Sequence, residues 1–163
     1  MRRRITDSSY KAGREATAPS AADVLTYLEQ RFGLEKAIFS DNGLYATSKG
    51  RIYLGPKRLI NHPRIATVGL LIARSGGAIK PSTNLLQLFG RQVTKNYVVL
   101  SKENASTFIG GNDVKVVAGE KGEATDGYVL VRYMDFSLGC GMLHGNDVRN
   151  MLPKAKRLAV TYL

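Results

Sequence analysis

Cys140 and His144 are the first residues to weigh for chemistry, because a thiol four positions from an imidazole has the parts of a nucleophile and its base. A thiol becomes reactive only where an adjacent base or cation stabilises its thiolate. Closeness in sequence does not establish that here, and a Cys between Gly139 and Gly141 reads first as a small packing group. The other histidine, His62, precedes Pro63 in a loop pattern, and two isolated histidines do not make a metal site. One cysteine excludes an internal disulfide and a cysteine-rich zinc centre, and it suits a reducing compartment. Gly139-x-Gly141 has His144 where a dinucleotide fingerprint needs glycine, and no strand–helix unit surrounds it. A Gly-x-x-x-x-Gly-Lys-Ser/Thr phosphate loop is missing from the sequence. The expectation is therefore no catalytic residue, no metal and no cofactor.

Charge is the feature that does carry chemistry. The 163 residues hold 24 Lys/Arg against 13 Asp/Glu, a formal charge of +11. An excess of that size attracts polyanions and speeds their encounter, whatever the fold. Residues 1–93 contain 15 cations and 6 acids, whereas residues 94–163 contain 9 and 7. Four of those nine are Arg149, Lys154, Lys156 and Arg157, and no acid follows Asp147. A basic surface also serves solubility, but a local cluster on this background favours nucleic acid. Lys and Arg neutralise phosphates and release counterions, while tyrosine and phenylalanine faces stack on unpaired bases. Tyr97, Phe108, Tyr128, Tyr133, Phe136 and Tyr162 all fall in helix or strand patterns, so each is expected in the core first.

The elements that must position these residues read as α+β in two units. Residues 1–19, with Arg2, Arg3 and Arg4 at their start, show no apolar periodicity. They read as a basic arm, either phosphate-binding or an inert tail. Residues 20–93 form a first domain. Ser20 and Asp23 make a capping box for a helix with Val24, Leu25, Leu28 and Phe32 on one face, stopped by Gly33. Lys36–Ser40, Leu44–Thr47 and Ile52–Leu54 are expected as short strands of a meander, with turns at Asp41-Asn42-Gly43 and Ser48-Lys49-Gly50. Lys57–Ile60 reads as a helical turn, residues 65–73 as a buried extended segment, and Thr83–Gly90 as a short capped helix.

Residues 94–163 form the second domain. Tyr97–Leu100, Val114–Ala118, Tyr128–Tyr133, Leu138–Leu143 and Leu158–Leu163 are expected strands. A helix over Lys102–Ile109 is capped by Ser101 and ended by Gly110-Gly111, and Gly119–Gly127 is a polar loop. Five strands at short spacing with one inserted helix predict a small barrel. The polar stretch from Arg91 to Asn96 is too short for a loose linker, so the domains are expected to pack together. Nothing approaches about 18 consecutive apolar residues, the span of a membrane helix. The start of the chain is basic but lacks the apolar core of a secretory signal, so a cytoplasmic, membrane-free protein is expected.

Two segments of the second domain resemble a known family. Thr107-Phe108-Ile109-Gly110-Gly111-Asn112-Asp113-Val114 and Asp135-Phe136-Ser137-Leu138-Gly139-Cys140-Gly141-Met142 are similar, in order and spacing, to segments of the PUA domain. The likeness is to the version carried by archaeal and eukaryotic ribosome-biogenesis factors, in which a pre-PUA domain comes first, and it extends over roughly residues 23 to 163. It implies a small N-terminal α+β, pre-PUA-like domain followed by a PUA-like β-barrel with an inserted short helix. PUA domains grip RNA along that helix, the next strand and the last strand. Carried onto this chain, the resemblance implies RNA contacts from Lys102, Asn112, Lys115 and the segment Arg149 to Arg157. The charge of the arm, apart from any resemblance, makes Arg2, Arg3 and Arg4 further candidate contacts. Gly111-Asn112 reads either as a close approach to an RNA backbone or as a simple helix stop.

The function so implied is non-catalytic binding of precursor ribosomal RNA in assembly of the large ribosomal subunit, with biogenesis proteins as partners. PUA-like domains also end some RNA cytosine-5 methyltransferases of the Sun family, whose cofactor-binding domain and Pro-Cys motif this chain does not show. A second reading is thus an RNA-targeting subunit for a separate modifying enzyme. A third is a protein–protein adaptor in ribosome assembly.

Overall fold

A computed structural model describes residues 19–58 and 69–158 of the chain. The basic arm as far as residue 18, the end of the expected turn at Lys57–Ile60, His62, residues 65–68 and residues 159–163 of the expected last strand lie outside the described residues.

Helix α1 (Ala21–Phe32) begins where the sequence places it. Asp23 N donates to Ser20 Oγ at 3.2 Å, and Ser20 N donates to the Asp23 carboxylate at 2.7 Å. Each group satisfies an amide that the first turn leaves without a partner. Val24, Leu28 and Phe32 bury one face, and Gly33 ends the helix at φ 66°. A Cβ there would stand 2.0 Å from Thr94 Oγ1, so the start of the second half passes directly over the end of α1.

Lys36–Phe39 corrects the first expected strand: it is a 3-10 helix. The short apolar run Ala37-Ile38-Phe39 fits a strand by composition, but the helical turn sends Phe39 inward onto Phe89, with ring centroids 4.9 Å apart. Strands β1 (Asn42–Ala46), β2 (Arg51–Pro56), β3 (Leu70–Ser75) and β4 (Ile79–Pro81) then form an antiparallel sheet in chain order. β2 alternates buried Ile52 and Leu54 with exposed Arg51 and half-buried Tyr53. Helix α2 (Thr83–Leu88) is capped by Ser82, whose Oγ accepts from Leu85 N at 3.0 Å and donates to Leu71 O at 2.7 Å.

The second sheet contains β5 (Tyr97–Val99), β6 (Val114–Lys115), β7 (Gly127–Tyr133), β8 (Phe136–His144) and β9 (Asp147–Asn150), in the order β5-β7-β8-β9-β6. It curls into a half-barrel, with helix α3 (Lys102–Ile109) inserted between its first two strands. The fold is α+β. Two boundaries need correction. The strand expected over Val114–Ala118 stops after Lys115, and helix α4 (Ala118–Lys121) occupies part of the expected loop. β9 joins β8 where the sequence suggested no strand.

β7 holds the two halves together. Val129 and Val131 point into a cluster with Val98, Phe108, Leu143 and Val148. Leu130 points the other way, joining Cys140 in the cluster built on Val24, Leu28 and Phe32. The seam also satisfies its polar groups. Arg31 Nε donates to Tyr128 O at 2.8 Å and its Nη2 to Thr125 O at 2.7 Å. Arg132 donates to Gly90 O and, at 2.9 Å, to Val93 O. Asn96, at φ 51°, donates from its amide to Arg31 O and accepts from Thr125 N. The backbone oxygens of buried Gly90 and Val93, met in this way, cost little to bury.

Glu120 fastens α3 to α4. Its carboxylate accepts from Ser101 N at 2.7 Å, Val117 N at 3.1 Å and the Asn104 amide. Burial pushes its carboxyl up, but these donors together outweigh that and hold it below the ordinary glutamate value. A depressed folded value stabilises the fold fully above the unfolded value, and that contribution disappears as pH falls through the folded one. Urea denaturation of wild type and Glu120→Gln across pH checks this. The stability gap is expected widest near neutrality and to close in acid; a gap independent of pH contradicts the assignment.

Candidate nucleic-acid interface

The cations of the C-terminal half fall into two different settings. Arg149 lies on β9 opposite Met142, and Lys115 lies on β6 opposite Asp147. Both line a cleft of about 760 Å³ on one face of the half-barrel, and so do Asp113, Asp126, Asp147 and His144. Asp113 accepts from Asn150 N at 2.7 Å, Asp126 accepts from Gly145 N at 2.9 Å, and His144 Nδ1 stands 3.2 Å from Asp126. Three carboxylates beside two cations make this cleft a poor seat for phosphate. Sequence reading missed these acids because they stand 13 and 21 residues apart and meet only through strand pairing.

Lys154, Lys156 and Arg157 sit in the opposite setting. Pro153 breaks the chain after β9, Lys154–Lys156 form a 3-10 turn, and every residue from Pro153 to Leu158 is exposed. Lys156 Nζ donates to Gln87 Oε1 on α2 at 2.6 Å. Arg157 lies across Gly111, which has φ 97°; a Cβ there would come within 2.4 Å of Arg157 Cδ. Arg157 Nε donates to Leu152 O at 3.1 Å, and Leu158 N donates to Ile109 O. Asn112 is exposed beside this brace, with its carbonyl accepting from the Asn150 amide at 3.2 Å. The turn therefore leaves Lys154, Lys156 and Arg157 exposed together, with Lys156 against α2 and Arg157 against Gly111-Asn112. A solvated cation there meets phosphate without the cost of burying a charge.

Lys102 opens α3, exposed at the end away from Asn112, with about 12 Å of helix rise between the two ends. Arg2, Arg3 and Arg4 lie outside the described residues.

The thiol is sealed in the seam. Burial pushes Cys140 up to about 12, with Lys80 drawing it back slightly, so it is protonated at neutral pH. His144 is four strand positions on, about 13 Å along β8, and its side chain is almost fully exposed. Among the described residues no group of three or more His, Cys, Asp or Glu is placed to hold a metal ion. Of the aromatics expected in the core, Phe108 is fully buried and Tyr128 and Tyr133 half-buried. Phe136 departs from that expectation at 67 % exposure, because it follows the tight Met134-Asp135 turn directly. Tyr97 departs from it too: it is exposed on the edge strand β5, with the Arg132 guanidinium over its ring, 4.3 Å from the centroid. Tyr162 lies outside the described residues.

Residues 95–158 match the family described as "Methyltransferase RsmF PUA domain". The matched range takes in the whole five-stranded sheet, α3, α4 and the basic turn, and supports a PUA domain over this part of the chain. No curated protein matches the chain.

Proposed function

We propose that this chain binds RNA without catalysing any change in it, and that the cations following β9 grip the phosphates. The observation behind this reading is the exposed turn with Lys154, Lys156 and Arg157, braced on Gly111-Asn112 at the end of a PUA-type half-barrel. No acid follows Asp147, so nothing on that segment opposes a phosphate backbone. Precursor ribosomal RNA in large-subunit assembly, in the cytoplasm, is the ligand this reading favours, with assembly proteins as partners. A second reading is delivery of RNA to a separate modifying enzyme. The description of the matched family as part of a methyltransferase favours it.

Copurification of the tagged chain from cells, with sequencing of bound RNA and identification of bound proteins, separates these outcomes. Ribosomal precursors with assembly factors support the first reading, and RNA with a methyltransferase the second. Proteins without RNA would overturn both and leave an adaptor. The purified chain alone is expected to transfer no methyl group from S-adenosylmethionine to RNA. Transfer that Cys140→Ser abolishes would contradict a non-catalytic role.

A further inference from the structure

The first sheet carries a row of cations that neither the half-barrel nor its family match accounts for. Arg51 on β2 stands directly opposite Arg74 on β3, and Arg74 stands directly opposite Lys80 on β4. Residues opposite one another in antiparallel strands project from the same face. Their neighbours Ile52, Ala73 and Pro81 are buried on the other face, so the row lies on the opposite face, with Arg51 and Arg74 exposed and Lys80 half-buried at the groove between the sheets. Neighbouring strands are about 4.8 Å apart, which places three cations within about 10 Å.

Like charges set directly opposite each other destabilise a sheet. The chain supplies nothing nearby in sequence to relieve them, since Asn42 to Lys102 contains ten Lys/Arg and no Asp or Glu. Among the described residues the ion pairs are Lys36–Glu29 and His144–Asp126, neither of which involves the row. A fold that tolerates this repulsion suits a ligand that is itself a polyanion.

The row also leads to the other half of the molecule. A groove of about 390 Å³ runs between the sheets, with Arg74, Lys80 and Ser82 on one side and Met151 and Pro153 on the other. Lys154 follows Pro153 directly, and Lys156 reaches α2 through Gln87. Beyond the row, Tyr53 pairs with Tyr45, and the alternation of β2 puts Tyr53 on the face of Arg51. Such rings can stack on unpaired bases.

Resting on the proposed RNA binding, we infer that Arg51, Arg74 and Lys80 form a second phosphate track for the same RNA strand. The strand crosses the groove from Lys154 and Lys156 onto the outer face of the first sheet. RNA recognition then belongs to both halves, and the buried seam keeps the two tracks in line.

The test is binding of a fluorescein-labelled 20-nucleotide oligouridine in 50 and 200 mM salt. It compares wild type, Arg51→Gln/Arg74→Gln/Lys80→Gln, and a variant with Arg149, Lys154, Lys156 and Arg157 all replaced by Gln. Each single-strand phosphate contact contributes about −0.7 to the salt slope, so losing three flattens it by about 2. The row variant should therefore lose about 20-fold less affinity than wild type between the two salts. It should also melt no lower than wild type, because three like charges have been removed. If it melts lower, Arg74→Gln alone, at the centre of the row, is expected to flatten the slope by about 0.7. Wild-type affinity and slope in the row variant, with weak binding by the C-terminal variant, would overturn the second track and leave the proposed function standing. Wild-type behaviour in both variants would overturn the two together. An acidic protein bound by wild type and lost in the row variant, with RNA binding unchanged, would reassign the face to protein recognition.

Discussion

Leu130→Ala is expected to destabilise the whole chain by about 2–5 kcal/mol, the cost of a fully buried leucine truncated where its surroundings relax only partly. Leu130 has no exposed surface and packs into the cluster of Val24, Leu28 and Phe32, although it belongs to the second sheet. Its strand neighbours Val129 and Val131 fill the other cluster, so the cavity opens beside both. The seam's hydrogen bonds from Arg31, Arg132 and Asn96 make independent unfolding of either half costly. A single cooperative transition is therefore expected in urea, displaced to lower denaturant without a change of slope. A chain of this size should also lose at least about 4 °C in melting temperature. Two separate transitions, or a loss below about 1 kcal/mol, would mean that the seam is not packed as described.

Local signals were the legible part of this fold. α1 was readable from Ser20, Asp23 and Gly33, and α3 from Ser101 and Gly110, because caps act within one turn of chain. β7 and β8 were readable from alternation and from the two glycines. Gly141 stands where a Cβ would lie 2.6 Å from Val148 Cγ1, so the pattern reflected a close approach of side chains. The misses came from longer range. Phe39 turns a strand-like run into a 3-10 turn by packing on Phe89, 50 residues away. Glu120 ends β6 early by capping from a position that looked like loop. β9, Asp-Val-Arg-Asn, has one apolar residue and owes its strand form to β8.

The candidate site was half legible for the same reason. The density of cations from Arg149 to Arg157 is plain in the sequence, but its division between an acid-lined cleft and an exposed turn is not. Arg51, Arg74 and Lys80 are 23 and 6 residues apart, and their row depends on a register shift between Ile52 and Tyr53. No periodicity in the chain announces such a shift.

The proposed RNA binding depends on phosphate contacts made by the turn after β9, together with any made by Arg149 on β9 itself. Replacing Arg149, Lys154, Lys156 and Arg157 together by Gln removes up to four of them, which on a single strand flattens the salt slope by as much as about 2.8. Between 50 and 200 mM salt the wild type would then lose up to about 50-fold more affinity than the variant. Arg157 also braces Gly111 through its stem and donates to Leu152 O, so a melting curve must accompany the binding curves. The acid-flanked position of Arg149 makes it the member of the set with the smallest expected share. The direct measurement is binding of labelled single-stranded RNA by wild type and this variant at the two salt concentrations. The expected result is a folded variant with weak binding and a flattened salt slope, of which only the share of the Arg51–Arg74–Lys80 row remains; a folded variant with wild-type affinity and wild-type slope would contradict the proposed binding.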